Sequence, residues 1–148
     1  MSYKGFFKPK HPNKYKGDPS TIVFRSSWEL KFMNYLDVHP DIITWSSEEF
    51  CIPYCSPIDG RVHRYFPDFW LKQRKADGII ENVVVEIKPE KQTKPPEIQK
   101  RRTKRYINEV VTWGINNAKW EAAHKFCEAK NWKFVIFTET HLGLKLNG

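Results

Sequence analysis

The chain has 148 residues, 25 Lys and Arg against 17 Asp and Glu for a net charge of +8, and six Trp, ten Phe and six Tyr. That length and apolar content suffice for one domain burying roughly 68–70% of its unfolded surface without staples, and the charge points to a polyanionic partner, nucleic acid ahead of a membrane surface. A bilayer span is excluded, since no apolar run approaches about 20 residues, and three cysteines (Cys51, Cys55, Cys127) after a start without an apolar signal region predict reduced thiols rather than a secreted disulfide framework.

Residues 1–20 carry Lys4, Lys8, Lys10, Lys14 and Lys16 before the first acid, Asp18, with Phe6, Phe7 and Tyr15 interspersed. They read as a basic N-terminal arm, either solvated or tracking a phosphate backbone. Residues 21–140 read as the folded domain and 141–148 as a tail. A first helix is predicted over 26–38, because Trp28, Phe32, Tyr35 and Leu36 form one apolar stripe. Ser26 can cap it, Glu29 stands at the third position of a capping box, and Pro40 ends it.

A first strand is expected over 42–54, closed by Pro53, and a second from about Val62 to Leu71 after the turn Ser56-Pro57-Ile58-Asp59-Gly60. A third, from about Ile79 to Lys88, follows Ala76-Asp77-Gly78 and stops at Pro89. These would make an antiparallel meander. A basic connector then holds Lys91, Lys94, Lys100, Arg101, Arg102, Lys104 and Arg105 against Glu90 and Glu97. A second helix is expected from about Glu97 to Lys130, broken near Gly114, and a last strand from Trp132 to Phe137. The order is helix, three-strand meander, helix, strand: an α/β fold with a mixed sheet flanked by helices.

Two of these strands hold awkward charges. In Val83-Val84-Val85-Glu86-Ile87-Lys88, alternation puts Glu86 and Lys88 on one face, and Asp68 interrupts the apolar run from Phe66 to Trp70. Buried charge is costly unless the groups serve each other or a metal. Asp68, Glu86 and the Ile87 carbonyl would offer hard oxygen ligands to Mg²⁺, which keeps several waters and needs only one or two carboxylates. Lys88 could orient an attacking water or neutralise a phosphate. Glu29 could cap its helix or project toward the sheet; the pattern leaves both open. The connector cations could hold phosphates, and Arg25 could contact a phosphate or pair with an acid. Cys51, Cys55, His63 and Cys127 lack zinc-site spacing, so no zinc is expected. Alternation sets His63 on the face opposite Asp68.

Pro67-Asp68 followed by Glu86-Ile87-Lys88 resembles the PD-(D/E)XK nuclease motif, and Phe24-Arg25-Ser26-Ser27-Trp28-Glu29 resembles the first-helix motif of the branch containing phage endonuclease I resolvases and TnsA-type transposase endonucleases. Over residues 8–138 the chain also resembles the head completion nucleases of T-even-type bacteriophages. The stretches that carry this are 13–19, 35–49, His63-Arg64-Tyr65-Phe66-Pro67-Asp68-Phe69, Gln92-Thr93-Lys94-Pro95-Pro96 and Asn117-Ala118-Lys119-Trp120. The resemblance implies a restriction-endonuclease-like core and a Mg²⁺-dependent DNA nuclease, with Mn²⁺ as a substitute. Asp68 and Glu86 would be metal ligands, Lys88 the catalytic lysine and Glu29 a further acid. It implies action on packaged phage DNA before head–tail joining, in the host cytoplasm or the virion head, with head, portal or neck proteins as partners and a dimer as one open state. The competing expectation is a basic DNA-binding protein that plugs the head without chemistry.

Overall fold

In the computed structural model, residues 4–141 are described; the expected tail, beyond His141, lies outside them. Four strands form the central sheet: β3 (Ile42–Ser47), β6 (Phe69–Arg74), β7 (Ile80–Ile87) and β8 (Lys133–Phe137), in the order β3-β6-β7-β8. The first three are antiparallel neighbours, and β8 runs parallel to β7. A parallel return needs a crossover, and α2 (Lys104–Lys130) supplies it. Helix α1 (Ser27–Val38) precedes the sheet.

The helices cover opposite faces. Phe32, Met33 and Leu36 of α1 pack with Trp45, Phe69, Val83 and Val85. Trp120, Ala123 and Cys127 of α2 pack with Trp70, Val84 and Phe134. Successive valines of β7 thus enter two cores, which is why the strand is apolar on both sides.

The long strands expected over 42–54 and 62–71 are each broken. Their inner halves, β4 (Ile52–Cys55) and β5 (Val62–Tyr65), pair with each other as a separate ribbon. Ile52, Tyr54 and Tyr65 anchor that ribbon in the α2-side core. One break follows Ser47, where Glu48 takes a left-handed backbone (φ 53°). The other falls at Phe66-Pro67-Asp68, where proline cannot donate to a ladder.

Helix α2 also differs from expectation. It starts at Lys104, not Glu97, because Thr103 caps it: the Thr103 hydroxyl accepts from the Tyr106 N–H at 3.1 Å. It passes through Gly114 unbroken. A Cβ there would meet only Pro57, at 3.8 Å, so no close approach demands the glycine. Packing of Trp113 and Trp120 outweighs its helical cost of about 1 kcal/mol.

The N-terminal segment, expected as an arm, packs onto the domain instead. Strand β1 (Gly5–Phe6) pairs with β2 (Val23–Phe24), and Phe7 and Tyr15 are buried beside Trp45. The Lys10 and His11 N–H groups donate to buried Asp37 at 2.7 and 3.0 Å, and the Lys14 ammonium donates to the Asp37 and His39 carbonyls. Its aromatic residues were the signal for burial; its lysines concealed it.

Candidate active site

One end of the sheet gathers the acids. Glu86 is the penultimate residue of β7, and Asp68 precedes Phe69, which pairs with Val85 across the β6–β7 ladder. Glu48 follows β3, and its N–H donates to the Asp68 carbonyl at 3.2 Å. Glu29 lies in the first turn of α1. The charges of Glu29, Glu86 and Lys88 all act on Asp68, and that of Glu86 acts on Glu29. Glu29, Glu86 and Lys88, singled out in the sequence with Asp68, are thus near enough for their charges to act on it.

Each carboxylate has at least one oxygen committed, and Glu86 has both. Asp68 Oδ2 accepts from the Ile87 N–H at 2.8 Å. Glu86 is 6% exposed; its Oε1 accepts from the Tyr65 hydroxyl at 2.6 Å, and its Oε2 lies 3.4 Å from Lys88 Nζ. Glu29 Oε1 accepts from the Arg25 N–H at 3.2 Å, while the Ser26 hydroxyl accepts from the Glu29 N–H at 3.1 Å. That is a reciprocal cap reaching one residue further back than the usual box. Capping thus uses one Glu29 oxygen and does not remove the residue from the acidic cluster.

The electrostatics are unbalanced. Burial, then the charge of Glu86, drives the Asp68 pKa well above the usual carboxylate range, against the opposing Ile87 N–H and Lys88. Burial also raises Glu29, with Glu48 and Glu86 adding to it and the Arg25 N–H and charge opposing. Burial and the Glu86 charge raise the Tyr65 phenol far beyond neutral pH, so it remains a donor. Four acids, Glu29, Glu48, Asp68 and Glu86, share two nearby cations, Arg25 and Lys88, which leaves room for a further cation.

Among the described residues no three His, Cys, Asp or Glu side chains converge as a ready-made metal cage. The donors that do meet are hard oxygens. The Asp68 and Glu86 carboxylates fit an ion such as Mg²⁺ that retains most of its water.

The remaining expected residues fall elsewhere. Arg25 pairs with Glu48. Lys91 lies on a short 3-10 turn (Glu90–Thr93); Lys94, Lys100, Arg101 and Arg102 occupy irregular chain; Lys104 and Arg105 open α2. All seven are exposed. Among the described residues, Lys91, Lys100, Arg101, Arg102 and Lys104 make no ion pair, whereas Lys94 pairs with Glu90 and Arg105 with Glu109. His63 is on the ribbon, paired with Asp59 at 2.8 Å. Cys127 is buried, its thiol pushed up to about 11 by desolvation, and Cys51 and Cys55 are free.

Three neighbours of the site were missed in the sequence. Tyr65 anchors Glu86, Glu48 holds Arg25, and the Lys119 ammonium stands 5.6 Å from the Tyr65 ring centroid and 5.9 Å from that of Tyr54. A buried tyrosine needs a partner for its hydroxyl, and that was the available signal for Tyr65. Lys119 lies in one of the stretches that carry the family resemblance, but nothing in that stretch linked it to Tyr65.

Residues 39–139 match the family described as TnsA-like endonuclease N terminal. The chain is also 42% identical over 146 residues to the head completion nuclease of Enterobacteria phage T4, an alignment that covers 96% of this chain and 95% of that protein.

Proposed function

Because the chain belongs to the TnsA-like endonuclease family, with the mixed sheet of a restriction-endonuclease-like core, we propose that it is a Mg²⁺-dependent deoxyribonuclease. It hydrolyses phosphodiester bonds in packaged phage DNA, completing the head before the tail joins. Similarity to the T4 protein supports the head-completion role. The observation that carries the chemistry is the buried Asp68 carboxyl, its proton affinity raised by Glu86, with the Lys88 charge opposing.

Asp68, Glu86 and the Ile87 carbonyl would hold the ion. Bound there, Mg²⁺ would polarise a phosphoryl oxygen and acidify a water. Lys88, held 3.4 Å from Glu86, orients the attacking water and offsets charge on the phosphate. Glu29 faces the pair with a raised proton affinity and holds a proton during the exchange between attacking water and leaving oxygen. Lys104 and Arg105 stand at the positive end of the α2 macrodipole, with no acid in that first turn. Repulsion there costs about 0.3–1 kcal/mol per charge, and a phosphate backbone would relieve it.

The test is cleavage of plasmid and linear DNA with Mg²⁺ or Mn²⁺. Wild-type protein should cut, and Asp68→Ala and Glu86→Ala should not. Cutting by both variants at the wild-type rate would overturn the site assignment. The exposed connector cations, five of them without an ion pair among the described residues, also suit a non-catalytic head plug. Phage production complemented by Asp68→Ala would favour that reading, and failure of complementation the nuclease.

A further inference from the structure

Between the irregular segment 94–103 and α2 lies an open groove of about 1390 Å³. Drug-sized ligands occupy pockets of about 300–1000 Å³, so this space suits a length of polymer. Its rim carries Lys91, Arg101 and Lys104, none of which makes an ion pair among the described residues. Its wall on α2 presents Tyr106 and Trp113, both partly buried, and buried Asn116.

Each wall continues in sequence toward residues of the candidate site. Lys91 is three residues beyond Lys88 on one side. On the other, Lys119 follows Asn116 by three residues, nearly one helical turn, and its ammonium stands over Tyr65, whose hydroxyl holds Glu86. Cations along a rim contact phosphates of any DNA. Aromatic faces inside a groove are different: bases stacked within a duplex cannot reach them, whereas unpaired bases can.

We infer that this groove takes an unpaired DNA strand and leads it to Glu86 and Lys88, so that the substrate is DNA with a single-stranded tail or flap rather than a blunt duplex. The inference rests on the nuclease reading for its destination and on the groove for its specificity.

Fluorescence anisotropy in EDTA tests it, using a labelled single strand, a blunt duplex, and the same duplex with a 5′ or 3′ tail. Wild-type protein should bind the single strand and at least one tailed duplex about tenfold or more tighter than the blunt duplex at equal salt. Tyr106→Ala should reduce that preference about tenfold, and Tyr106→Leu, which keeps bulk on the helix, should fall as far. Tyr106→Trp should retain it. Equal binding of blunt and tailed DNA by wild-type protein overturns the inference. So does full preference in Tyr106→Leu with an unchanged far-UV circular dichroism spectrum. Divalent-dependent plasmid cutting without tail preference would defeat the groove and leave the nuclease reading intact. Tail preference without cutting in Mg²⁺ or Mn²⁺ would do the reverse.

Discussion

Removing one oxygen, in Tyr65→Phe, isolates the contact that joins the ribbon to the site. The Tyr65 hydroxyl donates to Glu86 Oε1 at 2.6 Å, and the two residues are 4% and 6% exposed. Phenylalanine keeps the ring, so no cavity opens in the α2-side core. What is lost is a buried hydrogen bond to a carboxylate, worth about 1.5–3 kcal/mol. At about 2–4 °C per kcal/mol for a domain of this size, melting should fall by about 3–12 °C. Urea and thermal unfolding at pH 7 in EDTA measure it. The same change in a Glu86→Gln background should cost less, with a coupling of about 1 kcal/mol, because a neutral amide accepts a weaker bond. A single-variant loss below about 0.5 kcal/mol, or a cycle additive within about 0.3 kcal/mol, would refute the claim that this bond holds Glu86.

Asp68→Asn should be more stable than wild type at pH 7 in EDTA, because the amide can still accept the Ile87 N–H without the burial and repulsion that act on the carboxylate. The raised folded-state pKa sets the sign. The contribution of Asp68 to stability is most favourable below the unfolded carboxyl pKa of about 3.9 and declines as pH rises through the higher folded value; unfolding free energies from pH 3 to 8 should show a gap between wild type and the Asp68→Asn variant that opens with pH. Asp37→Ala leaves the Lys10 and His11 N–H groups without their acceptor and should cost about 2–4 kcal/mol. Faster tryptic cleavage at Lys10 and Lys14 would report release of the N-terminal segment; unchanged cleavage would contradict it. Ser26→Ala should cost about 1 kcal/mol of stability by denaturant titration, through loss of the α1 cap. DNA affinity should fall by about 10³–10⁵ between 50 and 200 mM salt if six to ten phosphates are contacted, and Arg101→Glu should make the log–log slope shallower by about one.

Local chemistry carried much of the architecture. The stripe from Trp28 to Leu36, the Ser26 cap and the Pro40 stop defined α1 to within a residue. The apolar run Val83–Ile87 marked β7, and its interrupting charges marked the candidate site. Asp68, Glu86, Lys88 and Glu29 were legible because each sits in a pattern whose period it violates or completes. Thr103 could have competed with Glu97 as the start of α2, since both open a plausible helical stretch; the cap bond from Thr103 resolved it.

What the amino-acid order could not decide was which partner each strand half would take. Alternation specifies the two faces of a strand and says nothing of its neighbour. The left-handed turn at Glu48 and the missing donor at Pro67 divert β4 and β5 into a ribbon, and only that diversion delivers Tyr65 to Glu86. The same holds for the acidic cluster. Residue types announced four chemically capable groups, but the unbalanced charge on Asp68 arises from Glu29, Glu86 and Lys88 arriving from a helix and a neighbouring strand. Coulomb energy depends on separation in space and on the water excluded between charges, and neither quantity exists until the two cores close around the sheet.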